Sequence, residues 1–213
     1  MATLTRNSVL AEAIGPSDGA GLRIKQALLV VFGIALITLA AKIKLPVPPS
    51  PVAVNLGTLA VLTIGAAYGA RLGMVTILGY MLIGTLGFDV FQSSTAELNG
   101  WAYMTGSTGG YLVGYVLAVG VLGWLAQRGW DRSVWLMALA MLVGNIILYV
   151  PGLAWLSHWI ELTGRLDAAT YGSLWGQTLQ WGAIPYLIGD AMKLAVAAML
   201  LPAAWALVGK ARQ

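Results

Sequence analysis

The sequence predicts an all-α integral membrane protein, in which six transmembrane helices form one bundle and both termini lie in the cytoplasm. Hydrophobic residues make up 59% of the 213 residues and charged residues only 9%, whereas charged residues account for about 25% of an average soluble domain. No stretch alternates apolar and polar residues as the strands of a transmembrane barrel do. We therefore expect helices to cross the bilayer, and the length suits a single domain.

Six apolar stretches are close to the roughly 20 helical residues that cross a hydrocarbon core. They cover residues 24–43, 52–70, 72–88, 109–126, 134–156 and 183–208. The first stretch is longer than the apolar core of a signal peptide, which has about 7 to 15 residues, so we expect it to remain as a helix. The six stretches define a transmembrane domain of residues 23–209, between an N-terminal tail of residues 1–22 and a C-terminal end of residues 210–213.

The connections and the glycines refine this division. The segment "KLPVPPSP" at residues 44–51 contains four prolines, which cannot continue a helix. Only "GAR" at residues 69–71 separates the second stretch from the third, which predicts a tight turn. Glycines recur four residues apart in two places, namely Gly65, Gly69 and Gly73, and Gly106, Gly110 and Gly114. Such spacing lets helices approach closely, either within this chain or against a partner subunit.

Orientation follows from the basic residues, because cytoplasmic loops carry an excess of Lys and Arg. With the N-terminus inside, eight basic residues fall on the cytoplasmic side: Arg6, Arg23, Lys25, Arg71, Arg128, Arg132, Lys210 and Arg212. Three fall outside, namely Lys42, Lys44 and Arg165, and Lys193 lies within the membrane. The chain is thus expected to be a multi-pass protein of the cytoplasmic (inner) membrane. Its three long connections face outward, where a ligand is expected to enter.

Asp190 and Lys193 interrupt the last apolar stretch. A charge at a helix centre costs roughly 2.5 to 3.5 kcal/mol on insertion scales, and such residues usually mark a site or a pathway. The two residues are three apart, so they share one helical face and partly neutralise each other. Asp190 lies seven residues after Ala183, roughly 10 Å along a helix. With Asn55 near the outer end of the second stretch, the pair predicts a pocket for a small polar ligand that opens outward. A purely structural ion pair is the alternative.

Several function classes are excluded by composition. The chain has no cysteine and one histidine, so we predict no disulfide, no metal site and no cofactor. It has no G-x-x-x-x-G-K-[ST] motif and so is not an ATP-driven pump on its own. Ser107 lacks a G-x-S-G frame and His158 lies in a polar outer segment, so an intramembrane protease, or any other enzyme, is not expected. The net charge of +4 is not clustered as a nucleic-acid partner would require. A self-contained secondary transporter remains open, although no internal repeat is visible.

Three stretches resemble the biotin-specific substrate-binding S components of energy-coupling-factor (ECF) vitamin transporters, the BioY family. They are "PVAVNLGTLAVLTIGAAYGARLG" at residues 51–73, "GSTGGYLVGY" at residues 106–115 and "IPYLIGDAMKLAVA" at residues 184–197. They occur in the family's order within residues 44–198. The resemblance implies a six-helix bundle that captures biotin from outside. It also implies association with a transmembrane coupling subunit and two ATPases, all within the lipid bilayer or attached to it.

The resemblance also implies which residues bind the ligand. Asp190 would accept N–H bonds from the ureido group, and Lys193 would donate to its carbonyl or to a carboxylate. The other candidates are Asn55, Gln92, Asn99, Trp101, Tyr103, Thr108, Gly109, Gly110 and Tyr111. For Gly109 and Gly110 the alternative is tight packing at a helix start. For Trp101 and Tyr103 it is the aromatic belt of the membrane interface.

The chain also departs from the family pattern. Gly57 stands where members often have Gln, Ser107 where they usually have Pro, and Leu112 where some have Arg. Val31 interrupts the small residues with which the first helix would dock on the coupling subunit. An S component for another vitamin is therefore kept as an alternative function.

Overall fold

The computed structural model describes residues 8–45, 54–95 and 97–210, and nearly all of its regular structure is helical. Its helices are α1 Leu10–Ala13, α2 Gly19–Lys42, α3 Gly57–Thr85, α4 Gly100–Met104, α5 Gly109–Gln127, α6 Val134–Leu162, α7 Ala168–Tyr171, α8 Leu174–Gly182 and α9 Leu187–Lys210. Strands β1 Lys44–Leu45 and β2 Val54–Asn55 pair antiparallel, with Lys44 opposite Asn55. Single 3-10 turns cover Trp130–Arg132 and Ile184–Tyr186.

Five helical stretches in the described residues are long and apolar enough to cross a membrane. They are Gly19–Lys42, Gly57–Thr85, Gly109–Gln127, Val134–Leu162 and Leu174–Gly209, the last of which joins α8 to α9. Large apolar side chains remain exposed on all of these helices, as expected for helices that are hydrophobic all round and face lipid. The predicted all-α membrane protein is confirmed at this level.

Helix α3 is broken at Gly69, whose backbone has φ 78° and ψ 171°. Glycine tolerates this positive φ because it has no Cβ. A Cβ added to Gly73 would lie 3.4 Å from the Cα of Gly65, although residues eight apart are about 12 Å apart along a continuous helix. The chain therefore reverses at Gly69. Two arms, residues 57–68 and 70–85, lie side by side where the sequence predicts two helices.

The bundle has two unlike ends. We call the end with β1, β2, α4, α7 and α8 the loop end, and the end with α1, Gly69 and the turn Trp130–Arg132 the turn end. At the loop end, Lys42 Nζ lies 2.5 Å from Asp89 Oδ1. At the turn end, Trp205 Nε1 of α9 donates to Asp131 Oδ2 at 2.5 Å.

The spaced glycines pack helices of this chain against one another. A Cβ on Gly65 would lie 3.1 Å from the backbone of Val119 in α5. One on Gly114 would lie 2.6 Å from the carbonyl oxygen of Leu148 in α6. These contacts bring α3, α5 and α6 close together. They favour packing within the chain as the role of these glycines.

Part of the predicted N-terminal tail of residues 1–22 is helical, since it contains α1 and the first residues of α2. From Ser8 onward it packs against the turn end, and residues 1–7 lie outside the described part. Val9 is fully buried, with its methyl groups against Gly69. Lys25 Nζ donates to the carbonyl oxygen of Ile14 at 3.0 Å. Arg132 Nη2 donates to that of Ser8 at 3.1 Å. These bonds satisfy backbone groups that a loose tail would leave to water.

Two further helix bounds differ from the predicted stretches. Helix α6 continues to Leu162, beyond the expected end at residue 156. Helix α9 begins at Leu187, four residues after the expected start, because the 3-10 turn containing Pro185 comes first. The segment between α6 and α9, whose mixed and Trp-rich sequence favours a location at the membrane interface, contains α7 and α8. Residues 211–213 of the expected C-terminal end lie outside the described part.

Candidate functional site

The two charges of the last helix form an ion pair near the start of α9. Lys193 Nζ lies 2.8 Å from Asp190 Oδ1, and about a tenth of each side chain is exposed. Asp190 lies in the first turn of α9, where the helix dipole favours a negative charge. Pairing and helix position both offset the cost of burying these charges.

Two other helices complete the hydrogen bonding of this pair. The hydroxyl of Tyr149 in α6 donates to Asp190 Oδ2. Lys193 Nζ donates to Thr58 Oγ1, at the start of α3, at 2.9 Å. Helices α3, α6 and α9 thus meet at the pair, and each carboxylate oxygen of Asp190 has a partner.

A cavity at the loop end opens beside this pair. Aromatic side chains dominate its walls: Tyr80, Phe91, Tyr103, Tyr111, Tyr115, Tyr149 and Tyr186. Phe91 stacks on Tyr103 with ring centroids 4.7 Å apart and meets Tyr80 edge to face at 5.4 Å. Apolar walls with a few convergent polar groups are typical of small-molecule sites.

The remaining polar groups gather beside the start of α3. Asn55 of β2 donates to Gln92 Oε1 and accepts from the backbone N–H of Gly57 at 2.6 Å. Gly57 precedes Thr58, which bonds Lys193, so the Asn55–Gln92 pair adjoins the ion pair. Gln92 Nε2 is buried and makes no hydrogen bond in the described part of the chain. The cavity therefore offers a carboxylate acceptor, an ammonium donor and an unused amide donor.

An ion pair holds the segment that carries Phe91 and Gln92. Asp89 accepts from Lys42, at the end of α2, and from Ser94 Oγ, each at 2.5 Å. The hydrogen bond from Lys42 holds the pKa of Asp89 below its ordinary value, and the bond from Ser94 acts in the same direction. These contacts fasten the connection between α3 and α4 to α2.

Seven of the eleven residues proposed from the sequence line the cavity: Asn55, Gln92, Tyr103, Thr108, Tyr111, Asp190 and Lys193. Tyr103 is buried, and its ring stacks on that of Phe91. Asn99 precedes α4 and lies outside the lining, and Trp101 is 67% exposed. The structure does not bring these two to the other candidates.

Gly109 and Gly110 also lie outside the lining, because they pack the start of α5. A Cβ on Gly109 would lie 2.1 Å from the carbonyl oxygen of Met104, and one on Gly110 would lie 2.3 Å from that of Pro151. The close approach serves the contact between helices, which is the alternative stated for these residues above.

Four further residues line the cavity that were not predicted from the sequence: Thr58, Tyr115, Tyr149 and Tyr186. Tyr149 carries a hydroxyl in a largely apolar stretch, and Tyr115 follows Tyr111 by one helical turn; both features could have been recognised from the sequence. Thr58 belongs to the quoted motif but was not assigned a role. The cavity lining also includes Gly57 and Leu112, two of the departures from the family pattern.

Comparison with known proteins adds independent evidence. A family model described as "BioY family" matches residues 12–210. A probable biotin transporter BioY of Pyrococcus horikoshii is 27% identical over 179 residues, which cover 84% of this chain and 95% of that protein. A probable biotin transporter BioY of Methanothermobacter thermautotrophicus is 32% identical over 140 residues, 64% of this chain and 83% of that protein.

A solved structure shares the fold. It is the crystal structure of the S-component for biotin from an ECF-type ABC transporter, which superposes with a TM-score of 0.69. The match covers 87% of this chain and 93% of that chain, at 19% sequence identity. At this identity the likeness shows the fold.

Proposed function

The chain belongs to the BioY family, and we propose that it captures biotin from outside the cell as the S component of an ECF-type transporter. The observation that carries this proposal is the Asp190–Lys193 pair, buried in an aromatic-walled cavity. Charges within membrane helices are rare and usually functional. Here they sit together with the polar groups that a biotin-sized ligand would need.

The chemistry of biotin matches the groups that line the cavity. Its ureido group has two N–H donors and one carbonyl acceptor, its thioether ring is apolar, and its side chain ends in a carboxylate. Asp190 accepts from the ureido N–H groups, and Lys193 donates to the ureido carbonyl or to the carboxylate. The unused N–H groups of Gln92 donate to whichever of the ureido carbonyl and the carboxylate Lys193 does not bind. Phe91, Tyr103 and the other aromatic rings supply apolar contact for the thioether ring.

We also propose six crossings, with both termini inside. The reversal at Gly69 supports this count, because it divides α3 into two antiparallel arms. The turn end carries Arg23, Arg71, Arg128 and Arg132, and an excess of basic residues is typical of cytoplasmic loops. The loop end, and with it the cavity, then faces outward from the inner membrane. The same division gives the transmembrane domain of residues 23–209.

Energy for uptake is proposed to come from partner subunits. Membership of the BioY family supports association with an ECF transmembrane coupling subunit and two ATPases. Helix α2 buries only 22% of its most apolar stretch, and Val31 on it is 66% exposed. Such a face lies against lipid or against the coupling subunit. Unaided uptake by the isolated chain in proteoliposomes would contradict this part of the proposal.

Substitution of the ion pair tests the proposal directly. Asp190→Asn and Lys193→Met should each weaken biotin binding by about 30-fold or more, because truncating one partner of a buried charge pair costs about 2 to 5 kcal/mol. Glu161→Gln is the matched control, since Glu161 is exposed and lies outside the cavity. Binding is measured by calorimetry on purified protein, and folding is checked by thermal unfolding because an unpaired buried charge also destabilises. If both variants fold and bind biotin with unchanged affinity, the Asp190–Lys193 pair does not take part in binding.

A further inference from the structure

Asn145 is a strongly polar residue near the middle of α6 that the biotin site does not use directly. It lies eleven residues after Val134, the first residue of the helix, which is about 16 Å along the helix axis. Asn145 is 9% exposed and makes no hydrogen bond with any described residue. A polar side chain at such a position normally has a partner in the protein or an ordered water molecule.

A small second cavity lies next to Asn145, between α3, α6 and α9. Its polar lining residues are Thr58, Asn145 and Lys193, and the others are apolar, among them Met141 and Leu194. It leaves about 10 Å³ in which the centre of a water molecule can lie, which is about the minimum for one water. Thr58 and Lys193 also line the biotin cavity, so the two cavities share a wall.

The hydrogen bonds of Lys193 leave room for another acceptor. Its ammonium has three N–H donors, and two are used, by Asp190 at 2.8 Å and by Thr58 at 2.9 Å. The third has no acceptor in the described part of the chain. Asn145, with one carbonyl acceptor and two N–H donors, lies across the same small cavity.

Resting on the proposed function above, we propose that this cavity binds one ordered water molecule that joins Asn145 to Lys193 and Thr58. Asn145 is then a positioning residue for the biotin site. The water accepts from the ammonium of Lys193 and donates to the side-chain carbonyl of Asn145. When biotin accepts the N–H that Lys193 otherwise donates to Thr58, the hydroxyl of Thr58 donates to the water instead. Thr58 and Lys193 then both keep their hydrogen bonds.

The spacing on α6 supports this role. Asn145 and Tyr149 are four residues apart, so they lie on one face of the helix, one turn from each other. On α9, Asp190 and Lys193 are also about one turn apart. Tyr149 donates to Asp190, and Asn145 lies beside the small cavity that Lys193 lines. Helix α6 thus provides one supporting side chain for each member of the ion pair.

Asn145→Leu tests the proposal, because it removes the amide with little change in volume. We expect the Kd for biotin to rise about tenfold to a hundredfold, which is the range for losing a hydrogen bond to a charged group. Asn145→Ser, which keeps a hydroxyl and leaves space for a second water, should recover most of the affinity. The matched control is Met141→Leu, a volume-conserving change at the same cavity, which should leave the Kd unchanged.

A second measurement does not need biotin. If the water links Asn145 to Lys193, Asn145→Leu lowers the thermal midpoint of the biotin-free protein, because the buried ammonium loses support. If the amide of Asn145 is without any partner, leucine raises the midpoint instead, and the proposal is overturned. In a Lys193→Met background, Asn145→Leu should cause no further loss of midpoint. Should Asn145→Leu alone fail to fold while Lys193→Met folds, the double variant should fold as Lys193→Met does, and its failure would overturn the proposal.

These readouts separate this inference from the proposed function. If the wild type binds biotin and Asn145→Leu binds it with the same Kd, the role of Asn145 is contradicted and the proposed function is not. If the wild type binds no biotin but Asn145→Leu lowers the thermal midpoint as expected, the proposed function is wrong. The water-mediated contact between Asn145 and Lys193 is then still supported.

Discussion

At the scale of single residues, Asp190 is the most heavily supported side chain of the site. It bonds Lys193 through one oxygen and Tyr149 through the other, and it sits in the first turn of α9. Together these features offset the removal of the carboxylate from water. Tyr149 supplies the contact whose contribution can be measured by removing a single oxygen atom.

Tyr149→Phe should lower the free energy of unfolding by about 1.5 to 3 kcal/mol, which is typical of a hydrogen bond to a charged group. The ring stays, so packing is preserved and only the bond to Asp190 is lost. Tyr115→Phe is the matched control, because Tyr115 lines the same cavity but its hydroxyl makes no hydrogen bond in the described residues. Thermal or denaturant unfolding in detergent gives both values. An equal loss in the two variants would show that Tyr149 does not support Asp190.

The residue scale also shows what the sequence could reveal about the site. Asp190 and Lys193 were predictable because charges in an apolar run are expensive and therefore conspicuous. Their partners were harder to identify, because Tyr149 is 41 residues from Asp190 and Thr58 is 135 residues from Lys193. Threonine and tyrosine hydroxyls are common in apolar helices, and only the packing of the bundle selects these two.

At the scale of helices, α5 and α6 make a close backbone contact beside the cavity. Gly114 lies against the backbone of Leu148, and Leu148 is itself part of the lining. The two helix backbones can approach this closely because glycine has no side chain. A side chain at this position would push the helices apart.

Gly114→Ala should cost about 1 to 3 kcal/mol of stability, as overpacking does in other cores, and should weaken biotin binding. Its added Cβ would lie 2.6 Å from the carbonyl oxygen of Leu148. Gly120→Ala, on the same helix, is the control, since its Cβ would come no closer than 3.5 Å to Met74 Sδ and alanine favours helix. The thermal midpoint should fall for Gly114→Ala and stay or rise for Gly120→Ala. The reverse order would contradict this packing.

The ion pair between Lys42 and Asp89 should make stability depend on pH. The pKa of Asp89 is lowered from 3.8, chiefly by the hydrogen bond from Lys42. A lowered pKa in the folded protein means that the contribution is complete above the ordinary value and is lost as the pH falls through the lowered one. Because Asp89 is exposed, the contribution is about 1 kcal/mol at most.

Asp89→Asn removes this contribution, so the wild type should be the more stable protein at pH 7. The difference in thermal midpoint between the two should close as the pH falls below 4 and should shrink in high salt. A difference that stays constant down to pH 3 would show that the Asp89 carboxylate is not the source.

Helix positions were predictable to different degrees. The "GAR" sequence marks the place where the arms of α3 meet, because glycine can take the positive φ of that turn. The helix α1 was not foreseen, because four residues carry too little periodicity to stand out from a polar tail. Val9 is buried against Gly69, a residue far from it in the sequence.

At the scale of the whole molecule, five and six membrane crossings can be distinguished by the side of the membrane from which residue 71 is accessible. The chain has no cysteine, so single cysteines can be introduced and labelled without a background. Glu161→Cys, at the loop end, should react with an impermeant maleimide added to intact cells, and Arg128→Cys only after the membrane is opened. Arg71→Cys should behave like Arg128→Cys, since the proposed turn at Gly69 reaches the cytoplasm. If α3 crossed only once, Arg71→Cys would lie within the bilayer and would not react from either side.

The predicted family is confirmed by the match of the family model to residues 12–210. Three motifs sufficed for this prediction because they lie in fixed order and describe several parts of one site. The match of the fold to the solved S-component is consistent with that membership. The short helices α7 and α8, by contrast, lie in the mixed, Trp-rich segment between α6 and α9, whose composition indicated only an interfacial location.

The most direct test of the account is calorimetric titration of the purified wild-type chain, without any ATPase, with biotin and separately with thiamine and riboflavin. The account predicts saturable heat with biotin at one site per chain and none with the other two vitamins. Saturable heat with thiamine or riboflavin, and none with biotin, would contradict the proposed function and leave the fold unchanged.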